Sequence, residues 1–235
     1  MILPNVRSRL REPDFRLVEL ALSRGDARAR ARYHQLLLDA GPDRLLDEPG
    51  LLEGLLAVRS LVLPSPPLFA YVAVREVLRA VAVDDRDVAD YLAALLLEFG
   101  DHDRHARVRR HDDKTYRYLV DIVSELTDQE SGGERSFLLQ AHLGNLSLWF
   151  AGLFPDRIAA LRHRDGGPDL PYYDELGRQG YDGASRHPLA GRFGVSEIYE
   201  TAAERFPALR VAFNRLSDRV FFPRVYTSDR VLRSL

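Results

Sequence analysis

Three histidines, His102, His105 and His111, fall within ten residues that also hold Asp101, Asp103, Asp112 and Asp113. Imidazole and carboxylate together can ligate zinc or another divalent transition metal, and His102 and His105 share a face if that stretch is helical. Arg104, Arg107, Arg109 and Arg110 are interleaved with them and oppose a cation. A solvated polar loop is therefore the expectation, and no metal site is assigned. The second constellation is His142, Asn145 and Trp149, which lie at offsets 0, 3 and 7 on one helical face. Such a face can line a pocket for an aromatic or haem-like ligand, with His142 as the ligating group. Such a group is more often a satisfied polar network in a core, because buried polar atoms must find partners in any case. No resident cofactor is expected.

Two enzyme readings rest on resemblance. Asp84, Asp87 and Asp90, in the run DDRDVAD, resemble the aspartate-rich, magnesium-binding motif of helical isoprenoid synthases. A partner motif would fall at Asp121, Ser124 and Asp128, a far shorter separation than in that family. Acids in the first turns of an exposed helix explain the same residues without a metal. Residues 93–100, AALLLEFG, are similar to the metal-binding helix end of the HD phosphohydrolases, usually written A-A-L-L-H-D-I-G. Leu97 and Glu98 stand where the histidine and aspartate ligands belong, so this similarity implies a non-catalytic relative. There is no Gly-rich phosphate loop, no G-x-S-x-G elbow and no H-E-x-x-H.

The element that positions the second constellation is the stretch 136–155, SFLLQAHLGNLSLWFAGLFP, which is uncharged from Phe137 to Phe154 in a chain that is 29% charged. Leu139, Leu143, Leu146, Phe150 and Leu153 recur at helical steps, and Ala141, Gly144 and Ala151 fall on roughly the opposite face. A helix apolar nearly all round belongs in a core or a membrane. Gln140, His142, Asn145 and Ser147 inside it, with Arg135 and Asp156 at its ends, favour a buried helix at about 136–154 over a membrane span. A second helix over the segment beginning PYYDELGRQGYDGAS would bring Gly177, Gly180 and Ala184 onto one face. These small residues are expected to meet Ala141, Gly144 and Ala151, either within the chain or between two copies. The glycines equally fit an irregular loop.

Elsewhere the pattern is helical throughout. Val88, Tyr91, Leu92, Leu95, Leu96 and Phe99 form an amphipathic helix, preceded by one carrying Ala70, Val74, Val77, Leu78 and Val81 and entered through Pro64, Pro66 and Pro67. The later runs end with helices through Ile198 to Phe206 and Leu209 to Val220. The prediction is an all-α, multi-helix globular bundle built round the central helix. It reads as one domain, 1–235, or as lobes 1–99 and 115–235 joined by the charged loop 100–114.

The totals exclude several classes of function. A net charge of −2 gives no global attraction for nucleic acid or an anionic membrane, and the cluster Arg24, Arg28, Arg30 and Arg32 has only Tyr33 beside it. There is no cysteine for a disulfide, a thiolate metal site or a nucleophile. With no signal-like apolar run at the N-terminus, a cytoplasmic protein is expected. Lys114 is the sole lysine among 33 basic residues, which reads as a GC-rich, bacterial origin. The functional expectation is a non-enzymatic protein acting through protein–protein interaction or self-association as a homodimer, in a regulatory or assembly role. Its rival is a small-molecule-binding protein or enzyme with a pocket beside His142, Asn145 and Trp149.

Overall fold

Helix starts are written into the sequence wherever an acidic, hydroxyl or imidazole side chain precedes an apolar run. Asp26 accepts from the Ala29 amide at 2.7 Å, Ser65 from Leu68 at 3.2 Å, and Asp85 from Asp87 and Val88 at 2.8 and 2.9 Å. In the computed structural model, which describes residues 1–101, 103–128 and 133–223, these and similar signals delimit thirteen α-helices. They are α1 (Glu12–Ser23), α2 (Ala27–Ala40), α3 (Pro42–Leu46), α4 (Leu51–Val58), α5 (Pro66–Arg79), α6 (Arg86–Phe99) and α7 (Leu119–Asp128). After these come α8 (Glu134–Leu153), α9 (Pro155–Asp165), α10 (Leu170–Ser185), α11 (Pro188–Arg192), α12 (Ser196–Glu204) and α13 (Phe206–Leu216). There is no strand among the described residues, so the fold is all-α. His102, residues 129–132 and residues 224–235 lie outside the described residues.

α8 is the axis. Sixteen of its twenty residues are buried, so it meets neighbours on every side. Its most extensive partner is α10, followed by α13 and α7. No single helix among the described residues is long and apolar enough to cross a membrane. One buried apolar cluster runs from Ile2 and Val18 through α5 and α6 to Phe213 and Leu216, drawing on both halves of the chain. α13 packs on α5, and α12 on α6, which joins those halves directly.

α10 remains helical through Gly177, Gly180 and Gly183, although each glycine weakens a helix interior by about 0.5–1 kcal/mol relative to alanine. Gly180 lies against the backbone of α8: a Cβ there would be 2.6 Å from the Gly144 nitrogen and 2.7 Å from the Gln140 carbonyl oxygen. Gly144 in turn leaves room for the Tyr181 ring. The other small residues are placed differently. Gly177 accommodates the Phe206 ring of α13, Ala151 offers its carbonyl to Asn214 at 2.9 Å, and Ala141 faces the side where Ile2 and Phe99 pack. Ala184 is fully buried. Ser196 is the first residue of α12, and Val195 precedes it without a side-chain cap.

Candidate functional site

Asn145 gathers hydroxyls from distant helices. Its Oδ1 accepts from Tyr91 on α6 at 2.7 Å and from Tyr181 on α10 at 2.8 Å. Tyr199 of α12 completes the group, edge-on to Tyr91 at 5.4 Å and stacked on Tyr181 at 5.7 Å between ring centroids. All three rings are shut off from solvent. Burial pushes the Tyr91 and Tyr181 phenols well above their ordinary value and that of Tyr199 to about 12. The Tyr91 and Tyr181 hydroxyls therefore stay protonated and act as donors to Asn145.

His142 is 3% exposed, and burial, aided by the nearby positive charge of Arg104, pushes its imidazole down to about 3. Its ring packs against Phe99 at 5.8 Å and Tyr116 at 6.0 Å, and its Nε2 has no hydrogen-bonding partner among the described residues. Trp149 sits edge-on to Phe99 at 5.6 Å and stacks on His105 at 6.3 Å. The cavity beside His142 and Asn145, closed off by Ile2, Phe99, Arg104 and Tyr199, has a volume of about 10 Å³. That is room for roughly one water molecule, whereas small-molecule sites run to about 300–1,000 Å³. His142 and Asn145 share this cavity, while Trp149 lies outside its lining, against Phe99 and His105.

The histidine-rich loop is tied down by arginine. Arg104 is buried, donating to Glu98 at 3.2 Å and to the Arg107 carbonyl at 2.5 Å. Arg135 at the start of α8 reaches Asp112 at 2.8 Å, Glu125 at 2.9 Å and the Tyr116 hydroxyl at 2.6 Å. Tyr116 donates to Glu125 at 2.5 Å, and Lys114 pairs with the same carboxylate. Burial alone would raise Glu125, but the bonds from Lys114, Tyr116 and Arg135 outweigh it and hold the group at about 2. No cluster of three or more metal-ligating side chains occurs among the described residues.

The aspartates at the start of α6 are likewise engaged by arginine. Asp84 pairs with Arg75, Asp87 with Arg7, and Asp90 accepts from the Arg7 amide at 2.7 Å. At the HD-like helix end, Glu98 pairs with Arg104 and Arg110, both at 3.2 Å.

Comparison with family models, with curated proteins and with solved structures gives no match.

Two surface grooves lie away from His142, Asn145 and Trp149. Between α1 and α4 lies an apolar groove of about 580 Å³, lined by Leu20, Ala21, Gly54, Ala57, Val58 and Leu61. It exists because Gly54 lets the helices cross closely: a Cβ there would be 2.5 Å from the Ala21 carbonyl oxygen. Leu61, which lines it, is 84% exposed, and Val62 and Leu63, next in the chain, are exposed as well, Leu63 at 81%. The sequence carries the signal as an apolar run, LVLP, directly before a proline-rich entry, where no helix can turn it inward. The second feature is a groove of about 420 Å³ where α7, α8, α10 and α11 meet. It is lined in part by Gln140 and His187, and its polar atoms come from helices far apart in sequence.

Proposed function

We propose that this protein is non-enzymatic and works by association of folded chains, with a second copy of itself as the occupant of the α1–α4 groove. The observation that carries this reading is an apolar groove from whose edge, at Leu61, runs the solvent-exposed apolar stretch Leu61, Val62 and Leu63. A two-fold interface requires a self-complementary surface, and a knob beside a hole meets that requirement: each copy's loop enters the other's groove. Exposed leucines on this scale cost solubility unless a partner covers them. The small cavity beside His142 also favours this reading over a ligand-binding one. A role in assembly or regulation, in the bacterial cytoplasm, is the setting proposed for such a dimer.

Sedimentation equilibrium over a range of concentrations tests it. The wild-type chain should reach twice the monomer mass, and Leu63→Glu should remain a monomer with an unchanged helical spectrum. A wild-type chain that stays monomeric at the highest concentrations would exclude the second copy as occupant.

A further inference from the structure

Residues 103–118 lie over the part of α8 that carries His142 and Trp149. The Tyr116 ring is 6.0 Å from that of His142, while His105 stacks on Trp149 at 6.3 Å and meets Phe150 edge-on at 6.1 Å. Val108 and Tyr116 are buried, so the segment closes over α8 as a strap. It is folded on itself by the Tyr116 amide, which donates to the Ala106 carbonyl at 2.7 Å, and by the Arg109 amide, which donates to Asp112 at 3.1 Å. Its polar ties to the surrounding helices run through charged groups: Arg104 to Glu98, Arg109 to Glu134, Asp112 to Arg135, and Lys114 with Tyr116 to Glu125. α8 is held differently, by sixteen buried residues and its long contact with α10. A segment with few apolar anchors opens at lower cost than such a core.

The imidazole beneath the strap is poorly placed to take up a proton. Its Nε2 has no hydrogen-bonding partner among the described residues. The charges that act on it are positive: Arg104 and His105 from the strap, Arg135 from the start of α8, and the Met1 amino group. Phe99 of α6, Asn145 of α8 and Tyr199 of α12 bring no charge to the cavity beside it. The carboxylates of the surrounding elements, Glu98, Asp112 and Glu125, are engaged by Arg104, Arg135 and Lys114. An imidazolium formed in place would be buried, unpaired and repelled, whereas one formed after the strap lifts would meet water. We propose that residues 103–118 are an acid-released strap: protonation of His142 favours a state in which they lift from α8 together while the rest of the bundle stays folded. The closed state is fully favoured above the ordinary histidine value of 6.5 and loses that advantage as the pH falls towards about 3, the value burial imposes. Opening should therefore become about 25-fold more frequent between pH 7 and pH 5. Burial also lowers His105, on the strap itself, so its titration works in the same direction. Glu125 and Asp112 add little in this window, because their ordinary values are 4.5 and 3.8. The device is separate from the α1–α4 groove and does not depend on self-association.

Hydrogen exchange of the full-length, nitrogen-15-labelled protein, corrected at each pH for the intrinsic rate, reads the opening. The Tyr116 and Arg109 amides report on the strap, since a single bond does not hold a loop closed in water once its anchors are gone. At pH 7 and at pH 5 both should be less protected than the core amides of Asn145 and Tyr181. Their protection should fall by at least about 25-fold between those two conditions. In His142→Phe, which retains His105, most of that fall should disappear. Equal protection of strap and core amides would overturn the proposal, because opening would then be global. So would strap protection that is unchanged between the two conditions, and neither result needs a variant to fold. A fall equally large in His142→Phe would overturn it as well, by removing His142 as the trigger.

Discussion

The backbone nitrogen of Gly144 lies 2.6 Å from the point where a side chain on Gly180 would begin. Alanine at position 180 therefore cannot be accommodated unless α10 moves away from α8, the largest helix–helix contact in the fold. Gly180→Ala should destabilise by about 1–3 kcal/mol, despite the better helix propensity of alanine. Gly144→Leu should cost at least as much, because the Tyr181 ring already occupies that space. Thermal melts check both, and an unchanged melting temperature would mean that the two helices do not approach this closely.

Removing the acceptor shared by Tyr91 and Tyr181 should be costly out of proportion to its size. Asn145→Leu leaves two fully buried phenolic hydroxyls without a partner, at about 1–3 kcal/mol each. The triple variant with Tyr91→Phe and Tyr181→Phe also removes the stranded donors and should recover part of the loss. Urea denaturation of the single and triple variants gives the comparison. A single variant as stable as the wild type would show that Asn145 does not organise the core.

What could be read from the sequence, and what could not, divides along physical lines. α8 and α6 were legible because their apolar spacing is local and their burial follows from it. α10 was ambiguous, since intrinsic propensity counts against each glycine while the compensating contact comes from a helix some 36 residues away (Gly144 to Gly180). His142, Asn145 and Trp149 were found as a face. The aromatic rings that fill the space beside them come from α6, α12 and the histidine loop, and no spacing rule foretells that. The charged loop 100–114 looked unanchored because its anchors, Arg135 and Glu125, are encoded later in the chain. The outward position of Leu61, Val62 and Leu63 has only a local signal, an apolar run directly before the proline-rich entry, because an apolar residue by itself does not announce which way it faces.

Acid should unfold the protein partly through His142. Its folded-state value of about 3 lies below the ordinary histidine value of 6.5, so the unfolded chain takes up a proton that the folded one refuses. The stability that depends on a neutral His142 is fully present above about 6.5 and falls progressively as the pH drops towards 3. His142→Phe, which keeps an aromatic ring beside Phe99 and Tyr116, should flatten the stability profile between those limits. Denaturant midpoints of both proteins at successive pH values test this, and parallel profiles would count against it.

Glu125 has the corresponding carboxylate profile. Its folded-state value of about 2 is below the ordinary 4.5, so its contribution is present above 4.5 and disappears as the pH falls through about 2. Glu125→Gln should therefore be less stable than the wild type at neutral pH, with the gap narrowing below 4.5. The same change should open the 100–114 loop to trypsin, since Lys114, Tyr116 and Arg135 lose their shared partner. A constant gap from neutral to acid pH would mean that these bonds do not depend on the charge.

Asp47 and Arg75 supply the last test, because burial makes their pairing far more consequential than that of surface ions. Arg75 is 4% exposed and donates to both oxygens of Asp47, at 2.8 and 3.2 Å. Arg86 adds a second pair of bonds to the same carboxylate at 2.7 and 3.1 Å, and Arg79 donates to the Asp47 carbonyl at 2.7 Å. One aspartate thus fastens the chain after α3 to α5 and to the start of α6. Burial would raise its pKa, but the bonds from Arg75 and Arg86 outweigh it and keep it below the ordinary carboxylate range. Asp47→Ala leaves the Arg75 charge in the interior with only the exposed Asp84 as a partner, and should cost about 3–5 kcal/mol. Replacing both residues by apolar ones, Asp47→Leu with Arg75→Met, removes the stranded charge along with the pair. That double variant should be markedly more stable than Asp47→Ala, since the attraction within a buried ion pair is largely offset by what both charges lose in leaving water. Urea midpoints rank the three proteins. If the double variant were no more stable than Asp47→Ala, the network would be holding this corner by geometry that apolar packing cannot replace.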